Sequence, residues 1–485
     1  MSMLNLNKNF LHFFALFGAV SIAALFYYWN IFGLDPMGTK VLSMALLMII
    51  LWVMDVLPMP VVALLPLILY PIFQINTLEA TAKSYANPVI FLFLGGFVLG
   101  LGIEKWGLHK RIALNIINAT GTGGDRIVLG FILATGLLSM WLSNTATTMM
   151  MFPIALSVIT VMSARQNHNG NLAYFNLTIM LSIAYASNIG GIATIIGTPP
   201  NVDYIGFFKN KYGTDIDFMR WMVLCFPIAI LLLISLYFVM VKWLYPNRIA
   251  SDAATSAFIV KQIEDMGPMS KTEKRVLVIF LLTAFLWIFR SVINSSQSFI
   301  KLDDTIIALM GAVAMFIVPS DIVEDDKNQP ILHWSDTSRL AWGILILFGG
   351  GIALADSLEN AGLIALLGQW LASFSSDIWV MVLMITIISI FMSEVMSNVA
   401  QVIVFAPVVT SLAEATGVDP LLYGIPMTLA ASCAGMLPMG TPPNAIVFAS
   451  NHIKMIDMVK IGFVMNVIAV ILITTFVWYV VPLLF

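Results

Sequence analysis

Apolar stretches of membrane-crossing length follow one another along almost the whole chain, separated by short polar turns. A helix that crosses a bilayer needs about 20 apolar residues, fewer where neighbouring helices shield it. On that scale nine stretches read as continuous spans: 10–29, 39–54, 59–73, 89–103, 222–244, 276–289, 305–319, 341–355 and 461–481. Four more are as apolar but interrupted. The stretch 127–162 is split at 143–148, 176–208 at 197–201, 378–409 at 393–399 and 421–452 at 438–444. One charged segment, 246–275, divides the chain into halves 1–245 and 276–485 and reads as a cytoplasmic connector. The first stretch is long for a signal sequence and lacks an Ala-x-Ala end, so it reads as a retained helix.

The interruptions recur in order. "LSNTATTMMMFP" (142–153) and "MSNVAQVIVFAP" (396–407) share a Ser-Asn front and a Pro end, and their Ser-Asn pairs lie 254 residues apart. "FLGGFVLGLGIEKWGL" (93–108) aligns without gaps to "FGGGIALADSLENAGL" (348–363), with seven of sixteen positions identical at an offset of 255. "GTPPN" occurs at 197–201 and again at 440–444, offset by 243. Three motif pairs in one order indicate an internal duplication.

Composition removes whole classes of function. Of 485 residues, 60% are hydrophobic and 10% charged, against about 25% charged in soluble domains. The mean hydropathy is +0.95. A net charge of −3 leaves no basic excess for nucleic acid. Two cysteines, Cys225 and Cys433, and five scattered histidines (His12, His109, His168, His333, His452) form no disulfide or metal pattern. There is no HExxH, no nucleophile elbow and no pair of intramembrane carboxylates, so an enzyme is not expected.

Basic residues give the sidedness. Lys105, Lys110, Arg111, Arg126 and Arg165 flank the first interrupted pair, whereas 340–453, which holds the second motif set, contains no Lys or Arg. If 127–162 and 378–409 are re-entrant hairpins, eleven full spans remain. With the N-terminus inside and the C-terminus outside, 16 Lys/Arg fall on the cytoplasmic side and 7 on the other. The halves are then inverted, as in many secondary transporters.

Broken backbone at membrane depth is tolerated where it lines a wet cavity or is buried in protein. Pro199-Pro200 and Pro442-Pro443 prevent continuous helices. The carbonyls they free suit a cation, and the restarting helix N-termini suit a carboxylate. Ser, Thr and Asn add hard oxygen ligands and neutral donors. With no Lys or Arg in the motifs, an anion here is held by dipoles and by bound cations, which makes cation-coupled anion binding physically natural. The plainer alternative is that single Ser, Thr or Asn residues merely bond neighbouring helices; recurrence in both halves argues against it. The Gly-rich stretches read as close-packing surfaces. Glu394 stays open, either as an ion or proton ligand or as a buried group with a local partner.

In "SNTAT", "SIAYASNIGGIATIIGTPPN", "SNVA", "ASCAGMLPMGTPPNAIVF" and "FLFLGGF…EKWGLHKRIAL" the chain resembles the divalent anion/sodium symporter family of di- and tricarboxylate transporters, over nearly its whole length. The resemblance implies an all-α polytopic membrane protein, an inverted-repeat transporter of about eleven spans with two re-entrant hairpins. It further implies a homodimer working as an elevator, with Na⁺ as the coupling ion. One Na⁺ site would use Ser139, Ser143, Asn144 and the Gly197 backbone; the other Ser393, Asn398 and the backbones of Met396 and Gly440. Substrate would meet Ser143, Asn144, Thr145, Ser397 and Asn398, with Thr198 and Thr441 nearby. Many bacterial members carry Thr where this chain has Val399, so a hydroxyl is missing from that wall. The expected function is plasma-membrane import of C4-dicarboxylates such as succinate, malate or fumarate with Na⁺. The alternatives are a Na⁺-independent dicarboxylate exchanger, a sodium-coupled sulfate or tricarboxylate symporter and, less in keeping with the paired sites, a channel.

Overall fold

A computed structural model of the chain describes residues 3–484 apart from 31–32, 55, 164–169, 248, 250–252, 298, 325–326, 373–376 and 451. Arg165, His168 and Asn169 thus lie outside the described residues. Among the described residues the chain is α-helical with one two-stranded antiparallel ribbon, Pro319–Glu324 with Lys327–Pro330. Among the described residues nine helices are long and apolar enough to cross a membrane.

Helix ends follow local chemistry. Asp217 accepts a bond from the Arg220 N–H at 2.7 Å and starts the helix Phe218–Tyr237, which continues as a π-helical turn, Phe238–Leu244. Ser270 and Glu273 form a reciprocal capping box at the start of Lys271–Ser296. The expected span 59–73 is instead two short helices, Met59–Val62 and Leu65–Ile72, each with proline in its first turn. Proline there lacks the N–H that would bond to the preceding turn, so one helix cannot run through.

The duplicated segment 93–108/348–363 is a helix pair with a tight turn. Pro88–Lys105 leads to the amphipathic helix Leu108–Thr120, and Trp342–Asn360 to Leu363–Ala372. The turn glycines match: Gly107 has φ 70° and Gly362 φ 69°, left-handed values that favour glycine. The charges in the first amphipathic helix kept it below any span criterion.

All four interruptions exist; three begin earlier in the chain than expected, and the third begins at 393 as expected but ends two residues sooner. The first hairpin is Gly124–Ser139 and Asn144–Ser163, joined by 140–143. The second is Ile378–Met392 and Asn398–Thr416, joined by 393–397. Thr145 to Thr148 and Val399 are therefore helical, because Ser143 and Ser397 stand just ahead of the restarting helices. The broken helices are Gly170–Gly191 and Pro199–Tyr212, unwound over 192–198, and Leu421–Ala431 and Pro442–Phe448, unwound over 432–441.

These elements interlock. Each hairpin packs on the broken helix of its own half, 124–139 on 170–191 and 378–392 on 421–431. The broken helices then cross, 170–191 against 442–448 and 421–431 against 199–212. A second apolar cluster, with Ala45, Met48, Leu51, Trp52, Val62 and Leu354, packs around the early helices and Trp342–Asn360.

Candidate functional site

The site grows from two equivalent hydrogen-bonded corners. In the first half the Ser139 hydroxyl donates to the Ser187 carbonyl at 2.7 Å and lies 2.8 Å from the Asn144 amide. In the second, the Ser393 hydroxyl donates to the Ala431 carbonyl and lies 2.7 Å from the Asn398 amide. Each corner ties the end of a hairpin's first arm to the start of its second, and both to the broken helix.

The unwound strands are held by matching asparagines. Asn201 Nδ2 donates to the carbonyls of Gly191 at 3.2 Å and Thr194 at 2.8 Å. Asn444 Nδ2 donates to those of Ala434 at 3.4 Å and Leu437 at 3.2 Å. Residues 191 and 434, 194 and 437, and 201 and 444 all differ by 243, the offset of the GTPPN motifs. A buried amide that satisfies carbonyls freed by the break removes much of the penalty of unwinding.

The first corner is crowded with oxygen. The Asn144 amide lies 2.8 Å from Ser139 Oγ, 3.0 Å from the Ser187 carbonyl and 3.2 Å from the Gly197 carbonyl, and with its nitrogen on that side it donates to all three. Ser139 and Asn144 are buried. Three or four hard oxygens converging without a charged side chain are donors suited to a small monovalent cation. Close approach here needs glycine. A Cβ on Gly191 would sit 2.3 Å from the Asn144 amide, and one on Gly197 2.4 Å from the Gly191 carbonyl.

The sequence-derived residues separate into groups. Ser139, Asn144, Gly197 and Thr198 come together; Thr198 is buried and its Oγ1 lies 3.4 Å from the Asn144 amide. Ser143 is apart from that oxygen cluster. Its hydroxyl accepts from the Ala146 N–H at 3.3 Å, and it lines a cavity of about 90 Å³ with Glu104, Trp141 and Arg339. Ser393, Asn398 and Gly440 form the second corner, with Gly440 against the Ser393 carbonyl. Met396 is buried and belongs to the second apolar cluster. Thr441 is buried and its Oγ1 accepts from Asn188 Nδ2 at 3.0 Å. Ser397 immediately precedes, and Thr145 and Val399 lie in, the first turns of the restarting helices, all three half-buried. Val399 touches both apolar clusters.

Sequence reasoning passed over Asn188, which connects the two breaks. It donates to Thr441 Oγ1 and Asn444 Oδ1 with Nδ2, at 3.0 and 3.3 Å, and its Oδ1 lies 3.5 Å from the Asn144 amide. The available signal was a further Ser-Asn pair, 187–188, just ahead of the break. The Ser187 and Ala431 carbonyls take the same part in the two corners, so the counterpart of Asn188 is Ser432, which is shorter and whose buried hydroxyl has no partner among the described residues.

Hairpins, broken helices and a neutral, oxygen-rich centre inside an apolar helical body define an all-α polytopic membrane transporter. The chain belongs to the family described as the sodium:sulfate symporter transmembrane region, whose profile matches residues 10–485. It is 39% identical over 463 residues, 93% of this chain and 87% of the relative, to the sodium-dependent dicarboxylate transporter SdcS of Staphylococcus saprophyticus. It is 38% identical over 457 residues to SdcS of Staphylococcus aureus strain USA300, covering 92% and 86%. The solved structure of MtrF from Neisseria gonorrhoeae, one of a class of antimetabolite efflux pumps, superposes with a TM-score of 0.55 over 84% of each chain at 12% identity; that likeness is one of fold.

Proposed function

We propose that this protein imports C4-dicarboxylates such as succinate, malate and fumarate across the plasma membrane, driven by Na⁺. The observation that carries the reading is the Asn144 corner, where the buried Asn144 amide, the Ser139 hydroxyl and the carbonyls of Ser187 and Gly197 converge at a break whose motifs hold no Lys or Arg. One Na⁺ takes Ser139, Asn144 and the Gly197 carbonyl. A second takes Ser393, Asn398 and the backbones of Met396 and Gly440. The substrate carboxylates lie between the helix starts at Asn144 and Asn398, meeting Ser143, Thr145 and Ser397, with Thr198 and Thr441 behind and Val399 as an apolar wall.

The coupling follows from electrostatics. A dicarboxylate held by motifs that carry no Lys or Arg loses hydration that neutral dipoles replace only in part. Cations bound beside it lower that cost, and the anion lowers theirs. Binding of the two is then mutually favourable by linkage. Na⁺-dependent dicarboxylate transport by the SdcS relatives supports this choice of ions. The N-terminus lies in the cytoplasm and the C-terminus outside, by the distribution of basic residues. The hairpins and broken helices travel as one body against the remaining helices, in a homodimer.

Uptake of labelled succinate by proteoliposomes, under an imposed Na⁺ gradient, an H⁺ gradient or neither, tests the reading. Accumulation above equilibrium under the Na⁺ gradient is expected. Equal uptake with and without Na⁺ would identify an exchanger, and competition by sulfate stronger than by malate an inorganic-anion carrier.

A further inference from the structure

Glu394 sits in the connection between the two arms of the second hairpin and is buried, with 3% exposure. Its Oε1 accepts from the N–H groups of Gly435 and Met436, both at 2.9 Å, and from Asn466 Nδ2 at 2.7 Å. Its Oε2 accepts from Met436 and Leu437, both at 3.0 Å. Every partner is a donor. An ionised carboxylate satisfies all of them, whereas a protonated one would direct its own hydroxyl at an N–H. The donors are uncharged, and no Lys or Arg occurs anywhere in 340–453.

The same junction is tied in the opposite sense in the first half. The counterpart of Glu394 is Met140 (394 − 254), and that of Leu437 is Thr194 (437 − 243). There the Thr194 hydroxyl donates to the Met140 carbonyl and accepts from the Gly197 N–H at 3.1 Å. In one half a side chain on the unwound strand grips the backbone of the hairpin tip. In the other a side chain on the tip grips the backbone of the unwound strand, and only that grip carries a charge.

The backbone of Glu394 adjoins the second corner. Ser393 immediately precedes Glu394, and Gly440 packs over both. A Cβ on Gly440 would be 3.1 Å from the Ser393 carbonyl and 3.5 Å from that of Glu394. A buried carboxylate held by dipoles alone still pays for lost hydration. A cation at the adjoining corner offsets that cost.

We infer that Glu394 is a positioning residue and the fixed counter-charge of the second cation site. It holds the unwound backbone 435–437 in register with Gly440 and raises that site's affinity for a monovalent cation. This rests on reading the Ser393–Asn398 corner as a cation site. The two sites are then unequal: the second fills at lower Na⁺ concentration, because the first has Met140 where the second has a charge.

The test uses full-length purified protein in proteoliposomes. Na⁺ is titrated at saturating succinate, and succinate at saturating Na⁺, for wild type, Glu394→Gln and Glu394→Asp. Glu394→Gln should raise the Na⁺ concentration for half-maximal uptake by roughly tenfold. Its succinate affinity at saturating Na⁺ should stay within about twofold. Glu394→Asp, which keeps the charge, should recover most of the shift. An unchanged Na⁺ requirement in a folded Gln variant overturns the inference. So does a parallel fall in Na⁺ affinity, succinate affinity and thermal stability, which would mark a purely structural role. If the Gln variant does not elute as folded protein, Asn466→Ala carries the test. Removing one donor to the carboxylate should give a smaller shift in the same direction, and no shift overturns the inference. Wild-type uptake without any Na⁺ dependence would overturn the transport reading itself, and this inference with it.

Discussion

Asn188 joins the two halves of the site: from the first broken helix its Nδ2 donates to Thr441 Oγ1, at the start of the last half-helix of the second, at 3.0 Å. The residues are 253 apart in sequence. The same amide meets Asn444 and Asn144, so a displacement at one break is felt at the other. Asn188→Leu keeps the volume but leaves buried oxygens and nitrogens unpaired, at about 1–3 kcal/mol each. Uptake should fall by about tenfold or more while the protein still elutes as a single species. Asn188→Ser, copying its counterpart Ser432, should not restore transport, since the shorter side chain leaves the far groups unpaired. Paired measurements of uptake and thermal stability check both.

The glycines of the two breaks should differ in tolerance. Gly191→Ala places a methyl 2.3 Å from the Asn144 amide, whereas Gly440→Ala places one 3.1 Å from the Ser393 carbonyl. The first contact displaces the side chain at the centre of the first corner; the second asks for a few tenths of an ångström. Gly191→Ala should abolish Na⁺-dependent uptake, and Gly440→Ala should retain measurable transport at higher Na⁺. A Na⁺ titration of both variants distinguishes them, and equal effects would contradict the geometry.

Thr145 and Val399 occupy the same place in the two restarting helices. Thr145→Val removes a hydroxyl and offers nothing in return, so every dicarboxylate should bind more weakly. Val399→Thr adds a donor worth about 0.5–1.5 kcal/mol but takes a methyl from a position that packs on both apolar clusters. Ligands whose second carboxylate reaches the hydroxyl should gain several-fold, and the rest should lose. Apparent affinities for succinate, malate, citrate and sulfate decide it. If Val399→Thr leaves all four within about twofold, position 399 faces the packing seam and not the substrate.

Asn115 and Ala415 are exposed, and the proposed inverted topology predicts the first on the cytoplasmic side and the second on the outside. In a background with Cys225 and Cys433 replaced by serine, a membrane-impermeant maleimide should label Ala415→Cys on intact cells. It should label Asn115→Cys only after permeabilisation. Labelling of both from one side would mean parallel halves.

Much of this was legible in the chain itself because it is local chemistry. Apolar length, paired prolines and the 254- and 243-residue offsets located both hairpins and both broken helices and marked Asn144 and Asn398, whereas Ser139 and Ser393 came from the family resemblance. Proline cannot donate wherever it sits, and a duplicated motif keeps its spacing whatever surrounds it. The edges of the breaks were less legible. Polar side chains were read as marking the interruption, whereas Thr145 to Thr148 lie in the first turns of a helix, where a start tolerates them. The amphipathic helices Leu108–Thr120 and Leu363–Ala372 escaped a reading keyed to spans.

What joins distant residues was decided by the tertiary structure alone. Sequence marked Glu394 as notable but could not choose between ligand and local partner. Its donors lie 41 to 43 residues away on an unwound strand and 72 away on the last helix. Asn188 looked like any polar residue in a helix until the crossing of the broken helices put Thr441 in front of it. Hydrogen bonds depend on distance and direction between groups. A one-dimensional pattern fixes neither once the partners belong to different elements, so the sequence named the oxygens and nitrogens of the site, and the packing of the two halves determined which of them meet.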